Sequence, residues 1–264
     1  MPAPGHILDG RADIDLRLGG SLDAPRLSGR ANLTDGTYQN LFSGTILTDL
    51  TLRTTVAEDD TLRLSLAGSD GAKGTLEATA ALALGAAEPR VDAGARIDRA
   101  TLIRRDEVTA MVSGEAAVAG PLSDLLFTGR IHIDKAEVRL IGAAPPALVD
   151  LDGIRIKEAP EPEDQGSAES RVTLDLAIVA ERHIFVRGRG LDSEWKMDLG
   201  VTGAAAAPVV TGGIEKVRGV MDLLGRQFDL ARGQVLFDGG READPALDVM
   251  LEREENDILS LIHI

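Results

Sequence analysis

The sequence predicts an all-β fold, an elongated, solenoid-like sheet of repeating strands with one apolar face, and three observations carry that prediction. Apolar and polar residues alternate with a period of two from end to end, which is the strand period and not that of a helix. Asp-Gly pairs recur at Asp9, Asp35, Asp70, Asp152 and Asp238, a dipeptide that accepts the positive φ angles of tight turns. A degenerate repeat appears as Gly20-Ser-Leu-Asp-Ala-Pro-Arg-Leu-Ser-Gly29, Gly120-Pro-Leu-Ser-Asp-Leu-Leu-Phe-Thr-Gly129 and Gly203-Ala-Ala-Ala-Ala-Pro-Val-Val-Thr-Gly212. Each copy is followed, seven positions on, by a small residue: Gly36, Ala136 or Gly219. Repeated strands that cannot bury an apolar face alone rely on neighbouring rungs.

Taken in order, Ile14, Leu16 and Leu18 alternate with Asp13, Asp15 and Arg17. They read as mid-sheet, so Met1 is taken as an internal start and the chain as a fragment of something longer. Leu62, Leu64 and Leu66 follow, separated by Arg63 and Ser65. Residues 1–156 form the repeating β segment. Lys157 to Ser170 holds two prolines, five acidic residues and no large apolar side chain, and reads as a solvated acidic loop, 157–170. Strand pattern resumes over 171–258 with Val172, Leu174, Leu176 and Ile178, then Trp195, Met197, Leu199 and Val201, then Leu247, Val249 and Leu251. Met221 to Leu224 could make one helical turn between Gly219 and Gly225, and Pro121 to Leu126 is too short to matter. Leu259-Ser-Leu-Ile-His-Ile264 matches one reading frame of a transposon adapter used in sequencing libraries, and 259–264 is set apart as a scar.

Composition narrows the function. With 43 acidic against 28 basic residues the net charge is −15, which repels nucleic acid and gives no electrostatic hold on an anionic membrane. Any lipid contact is therefore hydrophobic. Aromatics make up only 3% of the chain, so its interior is aliphatic and offers few platforms for sugars. There is no cysteine, hence no thiol nucleophile or disulfide, and no segment reaches the ~18 apolar residues of a membrane span.

The candidate chemical motifs do not assemble. His6, His132, His183 and His263 lack a second His or Cys at metal-ligand spacing, so no metal is expected. His132, between Ile131 and Ile133, points away from both and reads as a solvated or edge residue. Asp150-Leu-Asp152-Gly begins like a calcium loop, but Ile154 stands where an oxygen ligand is needed. Gly188-Arg-Gly190 lacks the third glycine of a dinucleotide fingerprint, where Ser193 stands, and no helix pattern follows. No catalytic residue, metal or cofactor is assigned, and the chain is read as non-enzymatic. What remains is the apolar face: either the ordinary inside of a sandwich or solenoid, or the lining of an open groove.

Ile184-Phe-Val-Arg-Gly-Arg-Gly-Leu-Asp-Ser-Glu-Trp195 resembles the signature of the TamB family, the inner-membrane component of the translocation and assembly module. Three later segments are similar to the same family in order and spacing: Gly203 to Gly212, Gly219-Val-Met-Asp-Leu-Leu-Gly-Arg-Gln-Phe-Asp-Leu230, and Gly233-Gln-Val-Leu-Phe-Asp-Gly-Gly240. The resemblance is closest from Arg171 to Asp257 and looser over Gly20 to Arg53 and Gly120 to Leu140. It implies a periplasmic β-taco, a sheet folded lengthwise with an apolar groove, tethered to the inner membrane by an N-terminal helix absent from this fragment. Its implied partners are phospholipid acyl chains, an outer-membrane barrel protein of the TamA/BamA type and further rungs of its own full-length chain.

Under this resemblance the groove lining is Ile14, Leu16, Leu18, Leu62, Leu64, Leu66, Val172, Leu174, Leu176, Ile178, Trp195, Met197, Leu199 and Val201. The implied role is phospholipid transport to, and assembly of, the outer membrane. The alternatives are a chaperone-like factor that templates outer-membrane strands by β-augmentation, or an adhesin-like solenoid with a sealed core.

Overall fold

Alternation with turn residues between the runs leaves the backbone one economical solution, a meander of hydrogen-bonded neighbours. The computed structural model describes residues 5–21, 24–56, 61–83, 88–141, 171–240, 244–255 and 258–263. Its strands are β1 (His6–Ser21), β2 (Ala24–Asn40), β3 (Thr45–Val56), β4 (Thr61–Ser69), β5 (Thr75–Ala83), β6 (Arg90–Arg104), β7 (Val108–Pro121), β8 (Asp124–Arg139), β9 (Arg171–Gly188), β10 (Leu191–Ala204), β11 (Val209–Leu223), β12 (Arg226–Asp238), β13 (Ala246–Glu255) and β14 (Ile258–His263). They form a single open sheet in sequence order. No helix occurs among the described residues, and the turn considered at Met221 to Leu224 is instead the end of β11 and its hairpin loop.

Every neighbouring pair is antiparallel except β8 and β9, which run parallel with Asp124 opposite Arg171 and Arg139 opposite Arg187. Arg139 therefore ends at the rim opposite that at which Arg171 begins. The acidic loop expected over 157–170, and Asp152, lie outside the described residues. Residues 259–263 pair with β13 as part of β14. An alternating apolar segment adds readily to an open sheet edge.

The long strands are not straight. The ladder slips between Asp9 and Arg11, Leu33 and Gly36, Thr48 and Thr51, Ile97 and Ala100, Met111 and Val112, His132 and Ala136, and Leu230 and Arg232. Registered partners put these slips side by side, so they form one line across the sheet. Four of its bulge residues hold positive φ without being glycine: Asp35 at 51°, Asp49 at 53°, Arg99 at 45° and His183 at 71°. A bulge bends its strand and raises local twist, and a row of bulges creases the whole sheet lengthwise in a taco-like form. Two of the Asp-Gly pairs expected as turns, Asp9-Gly10 and Asp35-Gly36, are bulges in this crease instead. The physical reason is that a bulge and a tight turn need the same tolerance of positive φ.

The crease divides the sheet into two wings. The upper wing ends at a rim carrying the β7–β8 loop, Leu122–Ser123, and the β10–β11 loop, Ala205–Pro208. The lower wing ends at a rim carrying Leu41–Gly44, Arg189–Gly190 and Leu224–Gly225. The sequence repeat now has a structural meaning. Each copy is an upper-rim hairpin, with Leu16 opposite Gly29, Ala116 opposite Gly129 and Leu199 opposite Gly212. The small residue seven positions on sits at the crease. A Cβ on Gly36 would lie 2.8 Å from that of Leu50, and one on Gly219 would lie 2.8 Å from that of Ser193.

The hairpin β4–β5 is the exception, because its strands are 9 residues each and stop at the crease. Below its loop β3 and β6 meet directly: Arg104 N donates to Ser43 O at 2.9 Å, and the Thr45 hydroxyl donates to Leu102 O.

Candidate functional site

Cross-strand register assembles the apolar residues into continuous rows, since residues directly opposite share a face. One row of the upper wing runs Ile14, Ala31, Thr54, Leu64, Ala80, Ala93, Val118, Phe127, Leu174. A second runs Leu33, Leu52, Leu66, Ala78, Ala95, Ala116, Gly129, Leu176, Val201 and Val210. A third joins Ile97, Gly114, Ile131, Ile178, Leu199 and Gly212. Leu16 and Leu62 fall in a further row through Gly29 and Val56. Val172 pairs with Leu125, and Met197 with Ala180 and Ile214. The residues singled out in the sequence thus share one face; the side chain of Leu18 lies outside the described residues.

The opposite face is polar. Glu77, Arg96, Glu115 and Arg130 stand in register with alternating sign, and Arg96 pairs with Glu115 at 3.1 Å while both stay exposed. Such pairs add little stability, but they keep this side wet.

Most of the apolar face is half-buried. Only eleven apolar side chains are buried among the described residues, although 44% of the chain is hydrophobic. All eleven lie at the crease or in the lower wing. Ala110, Ala136, Ala180 and Ile184 form one cluster and Phe228, Leu230 and Leu251 another. Trp195 packs against both. Its ring reaches across β11 to β12, where a Cβ on Gly233 would be 2.7 Å from Cη2. Trp195 Nε1 donates to Ser193 Oγ at 2.8 Å, and Ser193 Oγ donates to Val186 O at 3.1 Å. Away from the crease the face stays open. Leu52, Leu64, Leu66, Ala80, Val118 and Phe127 are among the residues lining an apolar hollow of about 270 Å³, where small residues of β5–β7 such as Ala78, Ala95 and Ala116 lie between the leucines of β3 and β4 and Phe127 of β8.

The crease is held by carboxylates to which the sequence reading gave no such role, Asp70 having been read only as part of an Asp-Gly turn. Asp70, after β4, is buried; its Oδ1 accepts from Ala72 N at 3.0 Å and Gly74 N at 2.9 Å, and its Oδ2 from Thr101 N at 2.9 Å. Arg104 Nη2 donates to Asp70 O at 2.6 Å and lies 3.3 Å from Oδ2. Burial pushes this carboxyl's pKa up, but the amide donors outweigh it and hold it below the ordinary value. Glu194, also buried, receives Arg218 Nε at 2.6 Å and His183 N at 3.4 Å. The bond from Arg218 is the main cause of its lowered pKa. A third knot joins Arg99 N to Ser113 Oγ at 2.9 Å and Ser113 Oγ to Asp134 Oδ2 at 2.6 Å. Each knot takes up backbone donors that a bulge removes from the ladder.

His132, read as a solvated or edge residue, has a side chain 43% exposed and meets Asp134 through Nδ1 at 3.2 Å. Ser113 donates to the carboxylate and not to the imidazole, so the trio lacks the serine–histidine contact of an activated nucleophile. His6 meets the Tyr38 hydroxyl at 2.7 Å, and no group of three metal-ligating side chains occurs among the described residues.

These features define a class: an open β-sheet creased lengthwise, with one continuous, half-exposed apolar face and a polar outside. A family model described as the TamB C-terminal domain matches residues 63–261, reaching into the last hexapeptide. The chain belongs to the TamB family. No curated protein and no solved structure matches it.

Proposed function

We propose that the chain is a non-enzymatic periplasmic scaffold whose apolar face lines a groove for phospholipid acyl chains on their way to the outer membrane. Family membership supports the coarser statement, a transport or assembly component of outer-membrane biogenesis. The observation that carries the finer one is the continuous set of apolar rows left half-exposed across the upper wing. Moving methylene groups from water onto such a face is worth about 0.8 kcal/mol each, yet exchange between two aliphatic surfaces costs little. A conduit needs that combination. Tethering to the inner membrane and docking to a barrel protein of the TamA/BamA type follow from the family reading and are assigned to no residue here. Among the described residues no helix is long and apolar enough to cross a membrane.

Photo-crosslinkers at Leu174 or Leu176 are expected to capture phospholipid, while those at Thr173 or Asp175 on the other face are not. Equal labelling of both faces would sink the groove. A second reading, strand templating by β-augmentation, draws on β1, whose outer edge has no neighbour among the described residues and whose Ile14 and Leu16 are exposed. Crosslinks from nascent barrel strands to Arg11 or Asp13, without lipid at Leu174, would favour it.

A further inference from the structure

The lower rim differs from the upper in a way that the groove does not explain. Among the described residues, two of its hairpin loops have two residues with positive φ at both central positions, the mark of a type I′ turn. Arg189 and Gly190 stand at 54° and 87°, Leu224 and Gly225 at 54° and 74°. Asn, Asp or Gly is favoured at the first position, where a leucine is disfavoured sterically. Leu224 is 96% exposed, so no packing within the protein offsets that. Leu140 and Ile141 after β8 are also exposed, as is Leu223.

These tips are held together as a unit. Leu140 N donates to Arg187 O at 2.7 Å, and Asp222 N to Gly190 O at 2.8 Å. Arg189 and Arg226 have exposed side chains with no ion-pair partner among the described residues, in a chain of net charge −15. The row Leu191, Met221 and Phe228 leads from these tips into the apolar face.

We propose that this corner of the lower rim docks on the surface of an anionic phospholipid bilayer. Leu224 enters the headgroup–acyl boundary, with Arg189 and Arg226 at the phosphates. Charge complementarity selects this occupant: apolar tips flanked by unpaired guanidiniums match an interface that offers acyl chains beneath negative charge.

The test is flotation of the full chain with liposomes of phosphatidylglycerol and phosphatidylcholine at a ratio of 1:3. Leu224→Asn is expected to lower liposome association about tenfold, the transfer value of one leucine side chain, and to raise the thermal midpoint, because Asn-Gly suits the turn. Loss of binding with a gain in stability excludes misfolding as its cause. The pair R189Q and R226Q removes the preference for liposomes containing phosphatidylglycerol over pure phosphatidylcholine. Leu122→Asn, on the upper rim, leaves association unchanged. The docking proposal falls if the parent chain does not float, if Leu224→Asn floats like the parent, or if Leu122→Asn is equally impaired. Crosslinking from Leu174 to detergent-free lipid reports the groove independently, so docking can fail while the groove reading stands.

Discussion

The upper and lower wings carry the same alternating pattern and end in different environments. In the lower wing Ala110, Ala136, Ile184, Phe228, Leu230 and Leu251 are buried, and Trp195 closes the space between their two clusters. In the upper wing, away from the crease, no apolar side chain among the described residues is buried to that degree; Leu62, Leu64, Leu66, Leu174 and Leu176 stay half-exposed. The difference teaches that alternation fixes which side a residue faces, while burial depends on whether anything packs opposite. Near a crease the two wings cover each other.

The largest expected effect comes from breaking the crease on which both wings depend. Asp70→Ala strips Gly74 N, Thr101 N and Arg104 of a buried acceptor and is expected to cost about 3–5 kcal/mol, measured by urea unfolding followed by circular dichroism. A change below about 1 kcal/mol would mean that Asp70 acts like a surface ion pair.

Next, Leu230→Ala and Leu64→Ala set the wings against each other directly. The first leaves a cavity in a closed cluster and should cost about 3 kcal/mol. The second removes a half-exposed side chain and should cost about 1 kcal/mol. Equal costs would erase the distinction between core and open face. Leu64→Asp sharpens it from the other side: the fold should persist, while phospholipid capture at Leu174 in the same apolar row drops several-fold because a charge now stands among the tails.

Acid should act through the crease. Asp70 and Glu194 both titrate below their ordinary values. Their contribution is complete above the ordinary carboxylate pKa and is lost as pH falls through the lowered folded values. Stability should therefore hold at pH 5 and fall below about pH 4, and the variant carrying D70N and E194Q should show a flatter profile. A parent profile that is flat down to pH 2 would remove these carboxylates from the account.

The smallest effect concerns Trp195. Held in the crease by Ser193 and the two clusters, its fluorescence should be quenched less by brominated acyl chains than that of a tryptophan placed at Leu64 in a W195F background. The opposite order would place the open part of the face at the crease.

Much of this was legible in the chain. The face shared by Leu62, Leu64 and Leu66 follows from a side-chain period of two, and the glycine repeat, read as stacked strands, falls on the upper-rim hairpins. Asp35-Gly36 shows where legibility ended, because a dipeptide that tolerates positive φ suits a turn and a bulge equally. Asp70 carried one usable signal, its Asp-Gly pair, but nothing local foretold that Thr101 and Arg104 would reach it from β6. Strand alternation with Trp195 puts Glu194 on the outward face. It is buried only because the bulge at His183 and Arg218 on β11 close over it.

By itself, then, the sequence determined the strand content, the apolar face and, through the order and spacing of its glycine-bounded segments, the family. These depend on backbone propensity and on a periodicity that any window of residues displays. Tertiary structure alone decided the crease, the parallel step from β8 to β9, and the division of one apolar face into a closed lower wing and an open upper one. Each of those depends on register between strands distant in sequence, and a one-residue bulge, which leaves almost no trace in composition, is enough to redirect a whole strand.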